Sequence, residues 1–89
     1  MSHILKQFEL DIDELIELVK ISLPYSSQIE TLTRYSDSIR FSWRGDSFRV
    51  SRYLGVEEAK NGMLYGSTTA ILLESLLQLN YSLAFEDAQ

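Results

Sequence analysis

Five arginines, Arg34, Arg40, Arg44, Arg49 and Arg52, fall within nineteen consecutive positions, and all three lysines, Lys6, Lys20 and Lys60, lie outside that window. Guanidinium suits carboxylate and phosphate because its planar fork donates two parallel hydrogen bonds to paired acceptor oxygens. Residues 34–53 carry a charge of +3, whereas residues 1–33 and 54–89 carry −4 each, giving a net charge of −5. The chemistry on offer is recognition of an anion. Bond-making chemistry is harder to assemble. There is no Cys, the one imidazole is His3, and a Ser or Tyr without a base is a poor nucleophile. Zinc sites are built mainly from Cys and His, so no metal set is expected either. The chain reads as a non-enzyme with no catalytic residue, metal or cofactor.

Two short motifs read as local geometry. Arg44-Gly45-Asp46 spells an integrin-recognition tripeptide, yet it sits where a tight turn needs Gly and tolerates Asp. Gly66-Ser67-Thr68-Thr69 lacks the glycine spacing and the lysine of a phosphate-binding loop, and reads as a helix N-cap.

The arginines are positioned by a β-hairpin. Ile39, Phe41 and Trp43 alternate with Arg40, Ser42 and Arg44, and Phe48 and Val50 alternate with Arg49 and Ser51. With Gly45-Asp46 as a two-residue turn, Trp43 opposes Phe48, Phe41 opposes Val50 and Ile39 opposes Arg52. That register puts the large apolar side chains on one face and Arg40, Arg44 and Arg49 on the other, where they would meet an acidic partner protein. A bland reading competes, in which the guanidinium groups are solvated and balanced by this chain's own carboxylates. Nucleic acid is a further alternative for this face, weakened by the net negative charge and by Phe41 and Trp43 pointing away from it.

Helices flank the hairpin. Asp11 and Glu14 have the spacing of a capping box, and Leu10 and Leu15 that of a hydrophobic staple. Ile12, Leu15, Ile16, Val19 and Leu23 recur at helical period up to Pro24, which predicts a helix over 12–23. Near the C-terminus, Leu72, Leu73, Leu76, Leu77, Leu79 and Leu83 cover about half of a helix circumference over residues 67–80, wider than the roughly 100° of an ordinary surface helix. Glu74, Ser75 and Gln78 mark its polar strip. The excess predicts that Leu72, Leu76, Leu79 and Leu83 meet a second copy of the chain. Between the hairpin and this helix, residues 54–66 are ambiguous. Asn61-Gly62 is a turn, Met63-Leu64-Tyr65 a short strand, and Val56–Lys60 a helical turn. Ile29 to Tyr35 alternates like a strand, and residues 4–9 fit either a strand or an extension of the first helix.

These elements predict one α+β domain spanning residues 1–89, with an antiparallel sheet of three to four strands around the 39–52 hairpin and both helices on one face. The tail 84–89 is expected to be disordered. A core this small leaves a thin stability margin that disulfides cannot widen, which again favours a homodimer. No apolar run is long enough for a membrane span. With no Cys and no basic-then-apolar leader, a cytoplasmic location is expected. The functional expectation is a self-associating adaptor or small regulatory subunit. The alternatives are a nucleic-acid-binding regulator and a small chaperone-like or antitoxin/immunity-type binding protein.

Overall fold

Helix α1 begins where its cap chemistry dictates. Glu14 N–H donates to Asp11 Oδ1 at 2.8 Å and Asp11 N–H donates to Glu14 Oε1 at 3.0 Å, so the capping box closes in both directions. The helix runs Ile12–Ser22, with Leu23 as its C-cap ahead of Pro24. A computed structural model of the chain describes residues 8–24 and 28–86, the last two by backbone alone. Residues 4–7 of the ambiguous N-terminal stretch, and 87–89 of the tail, lie outside the described residues. Phe8 to Leu10 is irregular and runs beside Arg52, whose carbonyl accepts from Leu10 N–H at 3.1 Å and whose Nε donates to Leu10 O at 2.7 Å.

Five strands follow: β1 (Ile29–Arg34), β2 (Ser38–Trp43), β3 (Asp46–Ser51), β4 (Val56–Lys60) and β5 (Met63–Tyr65). They form one antiparallel meander in chain order. The expectation of three to four strands is corrected to five because Val56–Lys60 is a strand, not a helical turn. It pairs with β3 on one side and β5 on the other, and the Asn61-Gly62 turn joins it to β5. Both turn residues have positive φ (+55° and +77°), the geometry of a two-residue type I′ hairpin.

The central hairpin keeps its expected faces with a different register. Phe41 opposes Phe48, Ile39 opposes Val50, Arg40 opposes Arg49 and Trp43 opposes Asp46. The loop is therefore Arg44-Gly45, both at positive φ (+55° and +92°), in place of Gly45-Asp46. Glycine takes the second turn position, so the turn is type I′ and the strands slip by two residues. An even slip preserves the side of every residue. Arg44 thereby leaves the strand for the loop. A further departure lies in β1, where a bulge between Glu30 and Thr33 places Thr31 at φ +52° and breaks the alternation expected from Ile29 to Tyr35. Ile29 and Leu32, not Thr31 and Thr33, then pack on the core.

Ser67 caps helix α2 (Thr68–Tyr81) by accepting from Ala70 N–H at 3.0 Å, and Ser82–Glu86 continue as a π-helical turn. One core cluster joins Leu15, Leu18 and Val19 of α1, the Ile39, Phe41 and Trp43 side of β2, Phe48 and Val50 of β3, and Ala70, Leu73 and Leu77 of α2. Polar bonds tie its edges together. Trp43 Nε1 donates to Pro24 O at 3.1 Å, Asn80 Nδ2 to Ser22 Oγ at 3.1 Å, and Val56 N–H to Glu74 Oε1 at 3.0 Å. Glu74, placed in the polar strip by periodicity, instead satisfies the first amide of β4.

Among the described residues, the β3–β4 loop holds the one that is buried and strained. Leu54 is fully buried at φ +66°, a region that costs a non-glycine residue about 1 kcal/mol or more. Ser51 organises the loop, its hydroxyl accepting from the amides of Tyr53 (3.2 Å) and Gly55 (3.0 Å).

Candidate functional site: the open sheet face and the outer side of the last helix

Strand alternation sets two rows on the sheet face away from the core. One row is Thr33, Arg40, Arg49 and Glu57, and the other is Glu30, Ser42, Ser47, Ala59 and Leu64, with Thr31 of the β1 bulge beside Ser42. Arg40 and Arg49 are the guanidinium groups of this face, and Arg44, expected beside them, lies in the hairpin loop instead. They differ in their company. Arg49 is held by Glu57 Oε1 at 3.3 Å and Asp37 Oδ2 at 3.6 Å, whereas Arg40 is exposed and has no ion pair among the described residues.

The remaining arginines are dispersed. Arg44 lies over the Trp43 ring, its Cζ 5.5 Å from the centroid, at the hairpin tip. Arg34 pairs with Asp13 of α1 at 2.6 Å, and Arg52 reaches Glu9 at 3.9 Å. Arg34, Arg49 and Arg52 are thus each paired with the chain's own carboxylates. Arg40 is the exception. It borders two hollows. Tyr35, Asp37, Ser38 and Arg49 share the first with it. The second is a trough of about 260 Å³ that crosses the strands and is lined by Thr31, Arg40, Ser42, Ser47, Ala59, Lys60 and Leu64 among others. Sequence reasoning missed this trough because it depends on small residues from five strands falling into one row.

The aromatic side chains Phe41, Trp43 and Phe48 are buried on the opposite face, which removes them as stacking platforms. Exposed phenols remain at Tyr35, Tyr53 and Tyr65.

On α2, Ala70, Leu73 and Leu77 are buried, and the outer arc carries Ile71, Leu72, Ser75 and Leu79, continued by Leu83 of the π-helical turn. Ile71 is 59% exposed, Leu72 65%, Leu79 58% and Leu83 57%, with Leu76 half-buried beside them. Glu74 is the one charged residue of Thr68–Tyr81, and it turns towards β4. The outer arc therefore bears no charge. Leu72, Leu76 and Leu79 follow one another at steps of four and three, which lines them along a single seam of α2, and exposed Leu83 follows in the π-helical turn. Among the described residues no cluster of His, Cys, Asp or Glu has the geometry of a metal site, and no helix is long and apolar enough to cross a membrane. No protein-family model, curated protein or solved structure matches the chain.

Proposed function

We propose that this protein is a non-catalytic interaction module that self-associates through α2 and offers the Arg40–Arg49 face to an acidic partner protein. The observation that carries the reading is the charge-free outer arc of α2, with its leucine seam. A helix that is apolar all round belongs in a core, and this one has a core on one side only. The two helices cover the same face of the sheet in this reading, which leaves the arginine face open. A cytoplasmic setting, resting on the cysteine-free composition, is part of the same proposal.

A second copy is the natural cover for the arc. The four exposed side chains present on the order of 400 Å² of apolar surface, about the largest patch a monomer tolerates. A specific dimer buries about 800 Å² per partner, of which an apolar centre is roughly half and a polar rim the rest. The patch has the size of such a centre. The cysteine-free chain allows a clean test, in which Leu79→Cys and, as control, Glu17→Cys on the exposed side of α1 are oxidised in dilute solution. Disulfide-linked dimers from the first and not the second support the reading, and equal cross-linking of both, or of neither, contradicts it.

One observation favours nucleic acid as a second reading, namely that Tyr35 lines the same hollow as Arg40 and Arg49. A phenol beside two guanidinium groups has the makings of a base-stacking and phosphate-contacting site. Filter retention of single-stranded RNA that is strong at low salt and lost at high salt would support it, and no retention at low salt would exclude it.

A further inference from the structure

We propose that the trough across the open sheet face seats an extended acidic segment of the partner protein. A carboxylate would lie among Arg40, Ser42 and Ser47, and an aliphatic neighbour on Ala59 and Leu64. The inference deepens the partner-face half of the reading above and is independent of the α2 seam.

Three observations carry it. First, the open-face lining carries one cation, Arg40, and no Asp or Glu, although thirteen of the 89 residues are acidic and the chain is −5 overall. Lys60 borders the trough from a position whose side chain alternates to the other face. Acidic groups do border the open face. Glu57 is engaged by Arg49, and Glu30 stands opposite Ser42 at the β1 edge. A complementary occupant is negative.

Second, the floor is a row of short side chains from adjacent strands. Thr31 Oγ1 donates to Ser42 Oγ at 3.1 Å, and Ser42 Oγ lies 3.4 Å from Ser47 Oγ. Hydroxyls rotate to donate where an anion needs them, and the charge-assisted bonds they form are about twice as strong as neutral ones. Beyond them, Ala59 and exposed Leu64 give the far end an apolar floor. The row is therefore polar at one end and apolar at the other.

Third, the dimensions suit a peptide better than a small molecule. Five strands at about 4.8 Å spacing span roughly 19 Å, the length of about five or six extended residues. A cavity of about 260 Å³ stretched over that length is shallow, whereas small-molecule sites enclose most of their ligand in about 300–1,000 Å³. A peptide spreads its contacts along such a surface.

The test is a titration of the ¹⁵N-labelled full chain with the acetylated, amidated pentapeptide Glu-Leu-Glu-Leu-Glu, alongside its Lys-Leu-Lys-Leu-Lys counterpart and free glutarate. The expected result is saturable amide shifts at Thr31, Ser42, Ser47, Ala59 and Leu64 with the acidic peptide alone. Affinity should fall about tenfold in Arg40→Gln, the loss of one charge-assisted contact. It should also fall in Ala59→Phe, which fills the apolar end, while the unbound spectrum of each variant reports that it is folded. Shifts confined to Asp37, Arg40 and Arg49 would overturn the trough and leave the arginine face standing. Equal response to both peptides, or glutarate saturating the same amides as readily, would overturn the peptide assignment. No shift with any probe would remove trough and partner face together.

Discussion

Arg40 and Arg49 stand directly opposite each other on β2 and β3, two like charges paired across the open face of the sheet. Glu57 and Asp37 neutralise Arg49, and nothing in the described chain neutralises Arg40. Opposed like charges on neighbouring strands destabilise a sheet by a few tenths of a kcal/mol or more. Arg40→Glu should therefore raise stability by about 0.5 kcal/mol, because it replaces repulsion with a cross-strand pair to Arg49. Arg49→Glu should lower it, since it adds a carboxylate beside Glu57 and Asp37. Thermal denaturation at low salt reads both changes, and their difference should shrink in 1 M salt, where the screening length falls to about 3 Å.

Apart from Arg44, which moves into the loop, the face of each hairpin residue was legible in the sequence, and the register was not. Alternation depends only on parity, so it survived the slip of two that the Arg44-Gly45 loop imposes. Turn type depends on which residues accept positive φ, and an arginine there carries little sequence signal. Strand β4 was obscured for another reason. Its Glu57 and Glu58 read as polar, yet Glu57 faces the arginine side and Val56 is the one buried apolar contact a strand next to the edge needs. The leucine seam was legible as an excess of apolar circumference on α2. The trough was not, because no spacing along the chain encodes a row that runs across strands.

Leu54 tests how far burial outweighs backbone strain. Leu54→Ala removes a fully buried side chain and keeps the positive φ, and should cost about 2–5 kcal/mol. Against a total of about 4–13 kcal/mol for a chain of this length, that is a large fraction. Leu54→Gly loses the same side chain but relieves the strain, so it should be no less stable than the alanine variant despite the added chain entropy. Urea denaturation ranks the three proteins.

Two acidic residues near the start of α1 should separate sharply. Asp11→Ala removes the cap acceptor for Glu14 N–H and should cost about 1 kcal/mol. Asp13→Asn removes a solvent-exposed ion pair with Arg34 and should cost at most a few tenths. Equal losses in thermal denaturation would show that the 2.6 Å Asp13–Arg34 contact is worth more than its exposure implies.

Glu74 links the last helix to the sheet through the Val56 amide. Glu74→Gln retains an acceptor oxygen and should be nearly neutral. Glu74→Ala strands a half-buried donor and should cost about 1–3 kcal/mol. Hydrogen exchange at Val56 is the local readout, and it should accelerate in the alanine variant more than in the glutamine one.

Self-association rests on the leucine seam, and sedimentation velocity tests it most directly. The wild-type chain should pass from monomer towards a species of twice 10.3 kDa as concentration rises into the high micromolar range. Leu72→Lys combined with Leu79→Lys should stay monomeric with the same far-UV circular dichroism, since both positions are solvent-exposed in the single chain. A wild-type chain that remains monomeric throughout that range would contradict the account.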